Sequence, residues 1–164
     1  MRILITEFGP MMLTSESDSV AHDITAFLQH DQAAKGAAVS AKDADAVYPS
    51  LVKRLFKHLM SKDIDSRLLE CEGPKFHVDK TASDELIEQS PAKITHAVVV
   101  VGKMVIDPCK LRFGQKYELP LSYPEPLLKT AWTLAKDITH LATMTPEQVR
   151  VILKGASNKS GDRE

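Results

Sequence analysis

The sequence predicts an α+β fold in which helices flank an antiparallel sheet. Two apolar runs on either side of Gly102-Lys103 predict a tight hairpin, because a type II′ turn needs the positive φ that glycine adopts easily. Apolar residues at helical spacing occur both before and after this hairpin. We therefore expect a helical N-terminal part packed on the sheet, followed by C-terminal helices.

The N-terminal third of the sequence contains one strand pattern and one helix pattern. Residues 2–8 predict a short strand that ends at Gly9-Pro10. Apolar residues at helical spacing then predict a helix that runs to about His30. Residues 32–46 are small, polar and weakly patterned, which favours a connecting loop.

A second helix has the clearest pattern of the chain. Charged residues fall on one side of this helix and apolar residues on the other. The apolar residues are Leu51, Val52, Leu55, Phe56, Leu59 and Met60. Pro49 suits the first turn of this helix, where its missing N–H costs nothing. A strand over residues 64–72 follows, and Thr81-Ala82-Ser83-Asp84 resembles a capping box before a short helix.

The segment after the hairpin predicts one more strand and two helices. Residues 111–114 and 117–121 favour the strand. Leucine, alanine and isoleucine recur at helical spacing over residues 127–141, which predicts an amphipathic helix. Thr145-Pro146-Glu147 predicts the start of a last helix. We expect a single domain over residues 1–154 and a frayed tail over residues 155–164.

Composition excludes several function classes. The formal net charge is −1, and 43% of the residues are hydrophobic. We therefore expect no nucleic-acid partner, and no run is long enough for a transmembrane helix, so we expect no membrane partner either. No glycine-rich phosphate loop and no tight metal-ligand spacing occur, so no cofactor or metal is expected. Two cysteines and no signal-peptide pattern favour a cytoplasmic protein, with export by a signal-independent route left open.

The predicted hairpin brings a histidine and an aspartate together. Counting back from the turn pairs Val101 with Met104 and Val98 with Asp107. His96 and Asp107 then share one face as diagonal neighbours, about 7–8 Å apart between backbones and within reach of a side-chain hydrogen bond. An imidazole oriented by a carboxylate is half of a nucleophilic triad. The simpler alternative is a buried strand histidine and an aspartate that caps the following turn.

The hairpin also resembles a known family. His-Ala, a valine-rich strand, a tight turn and Val-Ile-Asp-Pro, which together span residues 96–108, resemble the His and Asp strands of the papain-like superfamily. The likeness is to its transglutaminase-like and bacterial papain-fold toxin or effector branches. Members begin with a cysteine at the start of a helix, followed by a strand, and residues 46–70 resemble that order. The resemblance covers about residues 46–114.

This resemblance implies an acyl-transfer enzyme of the peptidase, amidase, deamidase or transglutaminase type, with a protein or peptide as substrate. His96 would act as the base, and Asp107 would orient it. The family's cysteine falls near Val47, which cannot be a nucleophile. The sequence does not identify the nucleophile. Cys109, two residues after Asp107, is the candidate, whereas Cys71 and Ser50 are more simply structural.

Two alternatives to an enzyme remain open from the sequence. The first is a catalytically inactive papain-like relative that binds a protein or peptide partner, which the missing family cysteine favours. The second is a structural or assembly protein in which the hairpin is only core. Oligomeric state is not predicted.

Overall fold

A seven-stranded sheet forms the centre of the structure, a computed structural model that describes residues 2–6, 9–13, 18–143 and 147. The strands are β1 (Arg2–Thr6), β2 (Gly9–Leu13), β3 (Ser66–Pro74), β4 (Thr95–Val101), β5 (Met104–Ile106), β6 (Ser122–Pro124) and β7 (Trp132–Asp137). Their spatial order is β1-β2-β6-β5-β4-β3-β7. All neighbours are antiparallel except β2 and β6. The coarse prediction of an α+β fold is confirmed.

Helices lie before, between and after the strands. They are α1 (Asp18–His30), α2 (Gln32–Ala37), α3 (Ala41–Ser61), α4 (Asp84–Glu88), α5 (Leu128–Ala131) and α6 (Thr139–Thr143). Short 3₁₀ helices span Pro91–Lys93, Lys110–Phe113 and Glu125–Leu127. Within the described residues, no helix is both long enough and apolar enough to cross a bilayer.

The loop predicted for residues 32–46 is wrong, because this segment forms α2 and the first turns of α3. The Asp31 side chain accepts a hydrogen bond from the Ala34 N–H, and the Ser40 side chain accepts one from the Asp43 N–H. Such caps satisfy N–H groups that a helix start leaves free. Alanine, the strongest helix former, supplies the buried positions here. The spacing of larger apolar residues therefore does not indicate these helices.

The helix predicted over residues 127–141 is also wrong. Within this range only Leu128–Ala131 and the start of α6 are α-helical. Between them the chain forms β7, which pairs with β3 from Leu69↔Asp137 to Pro74↔Trp132. Helical spacing of apolar residues is a local signal, whereas this strand is stabilised by hydrogen bonds to a segment about sixty residues away in sequence.

The remaining predictions for the end of the chain have mixed outcomes. Residues 111–121 form a 3₁₀ helix and irregular chain, and the strand begins only at Ser122. The helix predicted to start at Thr145 and the tail over residues 155–164 lie outside the described residues, apart from Glu147.

The central hairpin forms in the predicted register. Val101 pairs with Met104, and Val99 pairs with Ile106. Gly102 has a φ of 61°, as the turn requires. Because side chains alternate along β3 and β4, the two faces of the sheet pack into two hydrophobic clusters.

The first cluster lies between the sheet and helices α1 to α3, and it includes Leu68, Val99 and Cys109. The second cluster lies on the other face and includes Leu69, Val98, Phe113 and Trp132. The segment after β5 contributes to both clusters, because Cys109 belongs to the first and Phe113 to the second. This segment therefore connects the two faces at one end of the sheet.

We predict that Gly114→Ala lowers the free energy of unfolding by about 3 kcal/mol, against about 1 kcal/mol for Gly102→Ala. Both glycines have positive φ, 79° and 61°. A Cβ at Gly114 would also collide with the Thr81 hydroxyl and lie 2.6 Å from the Ala82 nitrogen, whereas a Cβ at Gly102 would meet nothing within 4 Å. Urea unfolding of the two variants measures the difference. Equal losses would show that the close approach at Gly114 is unimportant.

Candidate functional site

His96 and Asp107 are in direct contact at the end of the hairpin. The Nε2 atom of His96 lies 2.9 Å from both carboxylate oxygens of Asp107, and both side chains are 0% exposed. Asp107 is held in place by its own N–H, which donates to the Leu121 carbonyl at 2.7 Å. The Cys109 N–H donates to the Asp107 carboxylate at 3.2 Å. The structure thus brings these two side chains together, as the register predicts.

Arg112 occupies the other nitrogen of the imidazole. Its Nη1 atom lies 3.0 Å from the His96 Nδ1 atom, and its Nε atom donates to Asp45 on α3 at 3.0 Å. A guanidinium can only donate hydrogen bonds, so Nδ1 of His96 must be the acceptor. The proton of the neutral ring is therefore on Nε2, which donates it to Asp107. We call Asp45, Arg112, His96 and Asp107 the buried polar cluster.

Three aromatic rings contact the imidazole of His96. The ring of Tyr48 stacks on it at a centroid distance of 5.0 Å, and the ring of Trp132 lies nearly parallel to it at 5.9 Å. Phe113 meets the ring edge-on at 4.5 Å. The Tyr48 hydroxyl accepts a hydrogen bond from the Ala97 N–H at 2.6 Å, which fixes α3 to β4.

Arg112 is enclosed in the same way. Its Cζ atom lies 3.8 Å from the centre of the Tyr48 ring, a cation–π contact, and the residue is 7% exposed. Tyr48 packs against the first hydrophobic cluster, whereas Phe113 and Trp132 belong to the second. The buried polar cluster therefore lies where the two hydrophobic clusters meet.

Burial keeps His96 neutral. Loss of solvent lowers the pKa of His96 below its usual value, and the nearby Arg112 charge lowers it further, while the Asp107 carboxylate opposes both effects. A general base needs a free lone pair directed at the group that it deprotonates. The only lone pair of this tautomer is directed at Arg112, so His96 cannot accept a proton from a nucleophile in this arrangement.

The two thiols are also in unreactive settings. Cys109 and Cys71 are each 0% exposed. Burial raises the pKa of Cys71 to about 12, and burial together with the Asp107 carboxylate raises that of Cys109 as well. The thiolate is the reactive form of cysteine, so both groups would be poor nucleophiles at neutral pH.

Two other positions considered from the sequence, Ser50 and Val47, lie on α3. Ser50 is exposed on α3, where its hydroxyl accepts a hydrogen bond from Arg54 at 2.6 Å. Val47 is partly buried and packs against the first hydrophobic cluster. Within the described residues, no group of three His, Cys, Asp or Glu side chains could hold a metal ion.

Sequence reasoning missed Arg112 and Asp45 altogether. Arg112 follows the Asp-Pro sequence by only a few residues, but nothing in its neighbourhood indicates burial. Asp45 lies in the segment predicted as a loop, so its position on a helix beside the sheet was not expected. Tyr48 could have been found from the resemblance, because a tyrosine often follows the cysteine of papain-like members and Tyr48 follows Val47.

We predict that Arg112→Gln lowers the free energy of unfolding by about 3–5 kcal/mol, because the shorter, uncharged amide cannot donate to both Asp45 and His96 Nδ1 and leaves the Asp45 carboxylate, 12% exposed, without its cation. Arg54→Gln is the matched control: Arg54 contacts Asp31 at 3.0 and 3.1 Å, but the arginine side chain is 42% exposed. Such an exposed pair is worth at most about 1 kcal/mol. Urea unfolding at neutral pH compares the two.

If Arg112→Gln does not fold, Asp45→Asn provides the milder test. It keeps an acceptor for Arg112 and should cost less than the arginine substitution. Losses from the Arg112 and Arg54 substitutions that agree within error would contradict the structural role assigned to the buried pair.

We predict that acid destabilises the protein partly through His96. Its pKa is lower in the folded chain than in the unfolded one, so the unfolded state binds the proton first and stability falls as the pH drops below about 6.5. Going from about pH 7.5 to 5.5, this group removes at most about 1.4 kcal/mol. His96→Gln keeps one donor and one acceptor but does not titrate. Its free energy of unfolding, measured in urea at both pH values, should fall less than that of the wild type, and a parallel fall would contradict the prediction.

Comparisons of this chain with protein-family models, with curated proteins and with solved structures gave no match.

Proposed function

We propose that this chain is a papain-like, transglutaminase-like domain that is catalytically inactive and binds a protein or peptide partner. The observation that carries the proposal is the contact of Arg112 with Nδ1 of His96 at 3.0 Å. The guanidinium of Arg112 thus takes up the nitrogen through which a papain-like histidine would accept the proton of the thiol. The aromatic rings of Tyr48, Phe113 and Trp132 enclose the same imidazole.

The order and packing of the elements support the family likeness. Helix α3 precedes β3, β4 and β5, and these three strands are antiparallel neighbours. Tyr48, in the N-terminal half of α3, stacks on His96. A helix beside the histidine strand is what the family's cysteine helix provides, and Val47 stands where the nucleophile would be.

The edge of the sheet supports a binding role. Strand β7 pairs with β3 on one side, and among the described residues it has no strand on the other. Five consecutive residues of β7, from Thr133 to Asp137, are exposed, including Leu134 at 46%. An open strand edge can pair with an extended segment of another protein.

A papain-like acyl-transfer enzyme is the second candidate. The contact of 2.9 Å between His96 and Asp107 favours it, since this pair would orient a base. Cys109 would be the nucleophile. This chemistry requires Arg112 to leave Nδ1 and the Cys109 thiol to become exposed. A buried hydrogen-bonding group that loses its partner costs about 1–3 kcal/mol.

We predict that neither cysteine of the folded protein reacts rapidly with iodoacetamide at or below about pH 7, because each thiol is buried and its pKa is raised. Mass spectrometry would give the rate at Cys71 and at Cys109 separately, in the wild type and in His96→Gln. The alkylation rate of the protein unfolded in urea gives the reference value for a fully exposed thiol. We expect both folded-state rates to be far below this reference value and independent of His96, after correction for the unfolded fraction.

A Cys109 thiol that reacts rapidly below pH 7 and slows in His96→Gln would overturn the inactive assignment. The acyl-transfer enzyme would then be the better proposal, with Cys109 as its nucleophile.

A further inference from the structure

A groove of about 490 Å³ lies beside β7. Apolar side chains of Leu69, Leu128 and Trp132 contribute to its lining, together with Thr133 and Ala135 of β7 itself. The groove is therefore continuous with the open strand edge. An extended segment paired with β7 would direct every second side chain toward this groove, because side chains alternate along a strand.

The end of the groove where β7 begins is basic. The Lys75 N–H donates to the Ala131 carbonyl at 2.8 Å, and the Lys75 Nζ donates to the Lys129 carbonyl at 2.9 Å. These bonds hold the two lysines together beside Trp132. Both lysines are exposed, and neither has a carboxylate partner among the described residues.

The other charged side chains around the groove form ion pairs or hydrogen bonds. Arg67 pairs with Glu125 at 2.8 Å, and Lys136 pairs with Glu72 at 3.1 Å. Asp137, at the far end of β7, accepts a hydrogen bond from the Thr139 N–H at 2.9 Å. Among the described charges that line the groove, those of Lys75 and Lys129 at one end and of Asp137 at the other therefore have no ion-pair partner, and an acidic side chain would complement the two lysines.

We propose that β7 binds an extended segment of a partner protein that carries a carboxylate at one end and apolar side chains at alternate positions. The segment adds to the sheet as a strand through main-chain hydrogen bonds, an apolar side chain enters the groove, and the carboxylate lies against Lys75 and Lys129. This inference rests on the proposed binding function and specifies where and what the domain binds.

The test uses synthetic octapeptides and the full chain. Two pools contain valine or phenylalanine alternating with threonine, with glutamate either first or last so that both strand directions are sampled. Two matching pools carry lysine instead. Trp132 is the single tryptophan of the chain and lines the groove, so its fluorescence reports binding. Amide chemical shifts of residues 133–137 then locate it.

We expect saturable binding of a glutamate pool with shifts in β7, and affinity lower by about fivefold for the matching lysine pool. Lys129→Glu should reverse this preference. Lys53→Glu makes the same charge change on an exposed position of α3 and should leave the preference unchanged. Reversal by both variants would indicate a general charge effect and overturn the site.

Three other results would also overturn the proposal. The first is that no pool binds saturably, and the second is that binding shifts amide resonances elsewhere but none of those in β7. The third is equal affinity for the glutamate and lysine pools. Light scattering that shows self-association, with loss of it in Lys129→Glu, would identify a second copy of this chain as the occupant instead. Each of these outcomes leaves the thiol experiment unaffected. Reactive Cys109 with normal peptide binding would contradict only the inactive assignment.

Discussion

The hydrogen bond from Arg112 to the Nδ1 atom of His96 is the contact on which the rest of the site depends. It fixes the tautomer of the imidazole, because a guanidinium cannot accept a proton and so leaves the ring proton on the side of Asp107. It also places an arginine beside Tyr48 and next to Asp45, where the charge of the guanidinium is balanced. Four side chains from α3, β4 and the segment after β5 are thereby held in one arrangement.

This cluster joins the two halves of the hydrophobic core. Tyr48 packs with the helical layer, whereas Phe113 and Trp132 pack on the other face of the sheet, and all three rings contact His96. A buried polar group is stable only when its hydrogen bonds are made, so the cluster constrains the position of each ring around it. Trp132 extends this constraint to the groove beside β7, since the same ring lines both. The binding surface that we propose is therefore built against a rigid part of the molecule.

The parts of the fold that the sequence predicts are those that depend on local pattern. The hairpin register follows from a two-residue turn with glycine first and from the two-residue period of a strand, so the contact between His96 and Asp107 could be predicted by counting. The same reasoning could not find Arg112, because its contacts with His96 and Asp45 join three elements that are distant in sequence. It misassigned β7 as a helix, because Leu128, Ala131 and Leu134 satisfy helical spacing while the strand is stabilised by pairing with β3. Alanine-rich α2 escaped detection because its stability comes from propensity and an aspartate cap, neither of which gives an apolar period.

Physical chemistry also explains why an inactive papain-like relative would keep its histidine and aspartate but not its nucleophile. On the papain-like assignment that we propose, Val47 would replace a cysteine, and a packed interior tolerates the exchange of one small, partly buried side chain for another at small cost. Loss of His96 or Asp107 would instead leave a buried donor or a buried charge without a partner, which costs several times as much. Arg112 makes the loss of His96 still more costly, because the guanidinium donates a hydrogen bond to the imidazole. Stability alone is therefore a sufficient reason for the pair to be present, and the presence of a His–Asp contact in a fully buried site is weak evidence for catalysis.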